Sequence, residues 1–194
     1  MAGIRIILHG KAAIDARVRA AVLALRNEAR LVEVRVTWEP NDAARLTAEA
    51  VAEAHRGHLD CIVAGGGDGT INEVFSAAYA AQLPEPCSLG ILPLGTANDF
   101  AHSAGLPIVD ITAALRLAAS SPRRWMDAGF VDGRMFVNLV SGGFGSHVTV
   151  ETDPKLKLKS YSRRNQLIAQ LTTVWNRQIL EGITRIEPHI SLRF

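Results

Sequence analysis

The chain has 194 residues, of which 48% are hydrophobic, and a formal net charge of +2 at pH 7. This length is enough to bury one core and part of a second, and the small net charge argues against a nucleic-acid partner. No run approaches the roughly 18 apolar residues of a membrane-spanning helix and the N-terminus lacks a signal-peptide pattern, so we expect a cytoplasmic protein without a transmembrane segment.

Apolar, β-rich runs alternate with helical patterns along the first part of the chain. Strands are predicted over residues 3–10, 31–38, 59–65 and 88–95, and helices over residues 11–30, 42–56, 70–82 and 110–120. This alternation predicts an α/β fold, with a mainly parallel sheet and helices on both of its faces. We therefore expect a ligand site at the carboxyl ends of the strands.

A change of composition near residue 123 predicts a second section. The runs RWMDAGFV, RMFVNLV and HVTVE are strand-like and follow one another closely. We therefore divide the chain into a nucleotide-binding α/β domain over 1–122 and an incomplete β-rich second domain over 123–194. Residues 155–164 include five basic residues and no acid. Two interpretations of this run stay open: attraction to an anionic membrane, or an exposed, partly disordered segment without its normal packing partner, whose alternating lysines and leucines also fit an amphipathic strand.

The stretch AGGGDGTINEV, residues 64–74, places a cluster of glycines directly after an apolar strand. Glycine lets backbone N–H groups approach a phosphate where a β-carbon would intrude. The stretch lacks the lysine of one standard phosphate loop and the last glycine of the other. Asp68 within it predicts a magnesium ion that bridges the protein to a nucleotide, because an acid facing a phosphate needs a cation between them. The alternative for Asp68 is an ordinary turn residue.

The pattern G-T-x-N-acid occurs twice, as GTINE at residues 69–73 and as GTAND at residues 95–99. We expect Thr70 and Thr96 to cap two helices, with the acid three residues later completing each capping box. Two helix N-termini would then direct uncommitted N–H groups into one crevice. Such a crevice is a site for a polyanion.

Several of these residues have a local alternative. Glu73 and Asp99 can be explained as capping acids alone. Asn72 and Asn98 gain little as helix formers, which favours a polar contact for both. His9, at the end of the first strand, either lines the crevice or lies at the surface.

These motifs resemble those of a known family. GGGDGTINEV followed by LGILPLGTANDFA is similar to the diacylglycerol-kinase catalytic domain. VRVTWEPNDAAR and VNLVSGGFG narrow the resemblance to the bacterial soluble lipid kinases, whose best-known member was proposed to act on phosphatidylglycerol. Phosphofructokinases and NAD kinases share the first motif, but neither is expected to carry the second.

The resemblance implies a lipid kinase that uses ATP and magnesium. It would transfer the γ-phosphoryl group to a lipid hydroxyl, of phosphatidylglycerol or of a diacylglycerol-like lipid. Asp68 and Asp99 would belong to the magnesium network. The nucleotide-binding residues implied are Thr37, Gly66, Gly67, Asp68, Gly69, Thr70, Ile71, Asn72, Glu73, Thr96 and Asn98.

The chain departs from the family pattern in two places. His9 stands in the tripeptide HGK where relatives have asparagine. Beyond Pro154 the likeness fades, and the family's general base and a further magnesium site are expected beyond Phe194. We therefore assign no catalytic residue within the chain and expect no useful turnover from it alone.

The partners implied are a lipid substrate at a membrane surface, on the inner face, and either a complementing second half or a homodimer. Two other functions stay open. One is a non-catalytic ATP-binding module, and the other is a kinase of a soluble substrate such as NAD.

Overall fold

The computed structural model describes residues 2–131, 134–137 and 183–193. They belong to two compact units, one formed by Met1–Ala128 with Glu187–Phe194 and the other by Gly129–Ile186. Three segments that the sequence singled out lie outside the described residues. They are the strand expected at HVTVE, the VNLVSGGFG motif apart from its first residue, and the basic run 155–164. The boundary expected at 122/123 stays a prediction.

The first unit alternates strands and helices as the sequence predicts. Its strands are β1 (Gly3–His9), β2 (Val32–Thr37), β3 (Leu59–Gly66) and β4 (Ser88–Pro93). Its helices are α1 (Ala16–Asn27), α2 (Asp42–His55), α3 (Asp68–Ala80), α4 (Asp99–Ser103) and α5 (Ile111–Ser120). The first predicted helix starts later than expected, because a 3-10 turn occupies Gly10–Ala12 and Asp15 caps α1 by accepting the N–H of Arg17 at 2.8 Å.

The four strands are parallel, in the order β2-β1-β3-β4. The register pairs His9 with Thr37 and Gly66 with Pro93. Parts of two later strands, β5 (Arg123–Val131) and β7 (Ile183–Arg193), complete this sheet beyond β4, where Leu192 pairs with Leu89. The mainly parallel α/β fold is therefore confirmed.

Helices cover both faces of this sheet. On one face, α1 and α5 pack against Ile4, Ile6 and Leu8, which alternate along β1 and are at most 3% exposed. Because successive side chains of a strand point to opposite faces, Ile7 lies on the other face, where α2 and α3 pack against each other and against the strands. Both cores hold the strand ends in fixed register.

In the second unit, residues 129–131 of β5 pair antiparallel with β6 (Arg134–Phe136). None of the helices in the described ranges has the length and hydropathy that a membrane span requires.

Candidate functional site

A cleft of about 950 Å³ lies at the carboxyl edge of the parallel sheet. Its walls come from the segments that follow the four strands: residues 9–15 after β1, 37–43 after β2, 66–73 after β3, and 94–96 after β4. The volume falls within the range of small-molecule sites. The position is the one that parallel α/β sheets use for ligands, as predicted.

The N-terminus of α3 opens into this cleft. The helix begins at Asp68 after Gly67, which offers no capping side chain, and the first helical hydrogen bond runs from the N–H of Ile71 to the carbonyl of Gly67 at 3.0 Å. The N–H groups of Asp68, Gly69 and Thr70 therefore have no acceptor within the helix. Together with the helix dipole they make this end attractive to an anion.

The capping box expected for Thr70 and Glu73 is wrong. Because α3 starts two residues before the threonine, Thr70 lies in the first turn and Glu73 lies in the second. Thr70 is instead packed against the end of β3, where a β-carbon on Gly66 would come within 2.6 Å of its hydroxyl oxygen. Thr70 therefore fixes the entry to the helix by packing, and not by capping.

The glycines of the loop differ in what a side chain at their positions would meet. A β-carbon on Gly67 would come within 3.1 Å of the Cα of Gly95, so these two loops touch backbone to backbone. At Gly69 an added β-carbon would meet nothing within 4 Å. The described residues therefore do not explain the missing side chain of Gly69, which borders the cleft.

The second loop has a different construction. Asn98 adopts a left-handed conformation (φ 51°), and its amide accepts the N–H of Gly95 at 2.8 Å and donates to the carbonyl of Gly95 at 2.9 Å. The N-terminus of α4 is capped by Asp68, whose two carboxylate oxygens accept the N–H groups of Asp99 and Phe100 at 3.2 and 3.0 Å. The expectation that Thr96 caps this helix is wrong. So is the expectation that two helix ends direct uncommitted N–H groups into the crevice, because the first two N–H groups of α4 are bound by Asp68.

The cleft gathers most, but not all, of the predicted nucleotide residues. Its walls include Thr37, Gly66, Gly67, Gly69, Thr70, Glu73 and Thr96. Among the predicted residues, all of which the structure describes, those outside the walls are Asp68, Ile71, Asn72, Asn98 and Asp99. Ile71 is fully buried in the core. Asp68 and Asn98 hold the second loop in place, as described above.

The turn after β1 supplies wall residues that no sequence pattern singled out. Lys11 is the one lysine or arginine among the described residues that line the cleft, and Ile14 lines it too. His9 also lines the cleft, which decides between its two alternatives. Its Nδ1 accepts the N–H of Lys11 at 3.2 Å and so caps the 3-10 turn. The one sequence feature that could have identified these residues as wall residues is that they directly follow a buried strand.

The turn after β2 contributes Trp38 and Glu39 to the walls. Asp42 accepts the backbone N–H groups of both, at 2.8 and 3.1 Å, and pairs with Arg45. These bonds, led by the one from Trp38, lower the pKa of Asp42 to about 2. The carboxylate therefore stays charged at neutral pH, and its hold on the turn is lost only as the pH falls through about 2.

The described residues contain no group of three or more His, Cys, Asp or Glu side chains placed to hold a metal ion. Magnesium at phosphate sites is held by one or two carboxylates, waters and the substrate's own phosphates. Asp68 and Asp99 are brought together at the start of α4, where Oδ2 of Asp68 lies 3.2 Å from the backbone nitrogen of Asp99, and their assignment to magnesium stays a prediction. Each oxygen of Asp68 also keeps a lone pair beyond the one used for α4.

Comparison with known proteins agrees with this geometry. Residues 4–131 match the diacylglycerol kinase catalytic domain family. The chain is 49% identical over 152 residues to the probable lipid kinase YegS-like of Pseudomonas syringae pv. syringae strain B728a, covering 78% of this chain and 47% of the relative. It is 50% identical over 153 residues to the probable lipid kinase YegS-like of Yersinia enterocolitica, covering 78% and 50%. The chain thus spans about half the length of the curated relatives it matches.

The fold has solved counterparts. A crystal structure of a diacylglycerol kinase from Bacillus anthracis str. Sterne aligns with a TM-score of 0.57 and 23% identity, over 69% of this chain and 47% of that chain. At this identity the likeness concerns the fold alone.

Proposed function

The chain belongs to the diacylglycerol kinase catalytic-domain family, and from that premise we propose that it binds ATP with magnesium and serves phosphoryl transfer to a lipid hydroxyl. The observation that carries this proposal is the N-terminus of α3. Its uncommitted N–H groups face the cleft beside Gly69. A side chain at Gly69 would meet none of the described residues, so contacts within the protein do not explain why glycine stands there.

The phosphates of the nucleotide would bind at this end of the cleft. The N–H groups of Gly69 and Thr70 donate to phosphate oxygens, and the helix dipole adds attraction for their charge. Lys11, in the turn after the neighbouring strand β1, supplies a positive charge to the cleft. A phosphoryl group held in this way is fixed in position, and positioning with charge neutralisation supplies most of the catalysis in phosphoryl transfer.

The acidic residues near the phosphates make a cation necessary. Glu73 lines the cleft, and Asp68 stands in the chain between the wall residues Gly67 and Gly69. We assign Asp68 and Asp99 as the residues that hold magnesium, directly or through water. The ion, when bound, neutralises phosphate charge that the protein's own carboxylates would otherwise repel.

The acceptor is proposed from the relatives, which are named as probable lipid kinases. We propose a lipid hydroxyl at the inner surface of the membrane, of phosphatidylglycerol or of a diacylglycerol-like lipid. Transfer of label from γ-labelled ATP to vesicles of each lipid, by the chain joined to the remaining half of a relative, separates the two acceptors. Labelling of a soluble acceptor such as NAD instead would contradict the lipid assignment.

Nucleotide binding itself is tested by Gly69→Ala. Alanine should stabilise α3 by about 0.5 kcal/mol or more, because glycine is a poor helix former, and its methyl group should intrude on the bound phosphate. We expect calorimetry to show weaker ATP binding in magnesium while the thermal midpoint rises. Ala80→Ser, exposed at the far end of the same helix, should leave ATP affinity unchanged. Equal ATP affinity in Gly69→Ala and wild type would remove the helix N-terminus from the site.

A further inference from the structure

The two ends of the cleft differ in chemistry. At the β3 and β4 end, the walls are mostly glycine backbone, helix N–H groups and polar side chains, among them Thr96 and the carboxylate of Glu73. At the β1 and β2 end, two large hydrophobic side chains line the cleft while remaining open to solvent: Ile14 is 81% exposed and Trp38 is 80% exposed. The flat apolar face of this exposed tryptophan in a cleft wall has no partner among the described residues that accounts for it.

The fold brings Ile14 and Trp38 to the same end. His9 and Thr37 are paired across β1 and β2, so the turns that follow these strands are neighbours. The turns are also in direct contact, since a β-carbon on Gly10 would collide with the carbonyl oxygen of Thr37. Trp38 follows Thr37 directly, and Ile14 ends the turn that begins at Gly10.

The backbone at Trp38 is held in place before any ligand binds. The carboxylate of Asp42 accepts its backbone N–H at 2.8 Å, and Arg45 holds that carboxylate from the other side at 2.7 Å. Asn41 takes the left-handed conformation (φ 71°) that closes the turn. The backbone that carries the indole therefore needs no ordering when a flat group stacks on the side chain.

We propose that Trp38, with Ile14, is the platform on which the adenine base of the nucleotide stacks, so that the nucleotide lies across the strand ends with its base at β2 and its phosphates at α3. This inference rests on the proposed ATP binding. It adds to that proposal which way the nucleotide lies in the cleft and which residue its base contacts. The ends of β2 and β3 are two strand intervals apart, about 10 Å at roughly 4.8 Å per strand. A ligand that contacts both ends must therefore be elongated, as a nucleotide is.

The polar groups beside the platform fit a nucleoside. Thr37, Glu39 and Asn41 line the cleft next to Trp38 and can bond to ribose hydroxyls and to the edge of a base. The carboxylate of Glu39 would repel a phosphate or an anionic headgroup placed there. The charged part of the ligand is therefore expected toward Lys11 and the N–H groups of α3, where the proposed magnesium offsets the charge of Glu73.

The experiment compares ATP with inorganic tripolyphosphate, which has the phosphates and no base, both with magnesium. Stacking of a base on an aromatic side chain accounts for roughly 5- to 100-fold in affinity. We expect Trp38→Ala in the full chain to bind ATP weaker by that factor and to bind tripolyphosphate as wild type does. Trp38→Phe, which keeps an aromatic face, should recover most of the ATP affinity. Trp125→Phe, at an exposed tryptophan outside this cleft, is the matched control and should change neither.

A second readout is the indole emission. ATP should quench it in wild type and in Trp125→Phe, whereas tripolyphosphate should not. Unchanged ATP affinity in Trp38→Ala would overturn the platform while leaving the proposed function intact. An equal loss for ATP and tripolyphosphate would overturn it too, because Trp38 would then support the phosphate end. If wild type binds neither compound, the proposed function and the platform both fail.

Discussion

The two loops that share the pattern G-T-x-N-acid are built differently. In the first, the helix begins before the threonine, Gly67 offers no capping side chain, and the first N–H groups face the cleft. In the second, the helix begins after Asn98 and its first N–H groups are bound by Asp68. One helix end is thus available to a ligand and the other is closed.

The difference shows that the second loop supports the first. Its backbone packs against Gly67, and its helix holds the carboxylate of Asp68, the first residue of α3. Asn98 closes the second loop on itself through Gly95. We infer that the anion-binding role belongs to the first loop. The second loop determines where the first one lies.

The largest effect is expected where the two loops touch. In Gly95→Ala the new β-carbon would collide with the Cα of Gly67 and lie 2.8 Å from Oδ1 of Asn98. Because both contacts involve fixed groups, we expect a loss of about 1–3 kcal/mol in the free energy of unfolding and no ATP binding by calorimetry. Gly69→Ala is the comparison, since its β-carbon meets no protein atom. Wild-type stability in Gly95→Ala would show that the loops do not depend on each other.

Asp68→Asn separates the two roles given to this carboxylate. The amide keeps one acceptor oxygen, so one of the two bonds to α4 is lost, and unfolding should become about 1 kcal/mol easier. The variant also removes the charge assigned to magnesium. We therefore expect the gain in ATP affinity that magnesium gives in wild type, measured against EDTA, to be much reduced. If magnesium increases the ATP affinity of the variant as much as that of wild type, Asp68 only caps α4 and does not hold magnesium.

The smallest effect is expected at Thr96. Its side chain is exposed and caps no helix in the structure, so Thr96→Ala should leave the thermal midpoint unchanged. If its hydroxyl donates to the nucleotide, ATP affinity should fall by about 0.5–1.5 kcal/mol, the usual contribution of one hydrogen bond. Ser120→Ala removes an exposed hydroxyl from the end of α5, away from the cleft, and should change neither quantity. A lowered midpoint with unchanged affinity would make Thr96 structural.

Local patterns predicted the fold and the position of the cleft. The alternation of strands and helices required a parallel sheet, and a parallel sheet places its strand ends, with the glycine loop, along one edge. The same patterns did not predict Lys11, Ile14 or Trp38 as wall residues. These residues line the cleft because β1 and β2 are neighbours in the sheet, and strand order cannot be read from the period of a single strand.

The sequence by itself determined the α/β fold, the strand and helix order, and the glycine loop at a strand end, because each follows from residues close together in the chain. Only the tertiary structure decided which helix end is available to a ligand. The bonds that close α4 join Asp68 to Asp99 and Phe100, which lie 31 and 32 residues away. A capping side chain satisfies whichever N–H groups the packed fold brings within 3 Å or so of it. Two identical sequence patterns could therefore become one open helix end and one closed one.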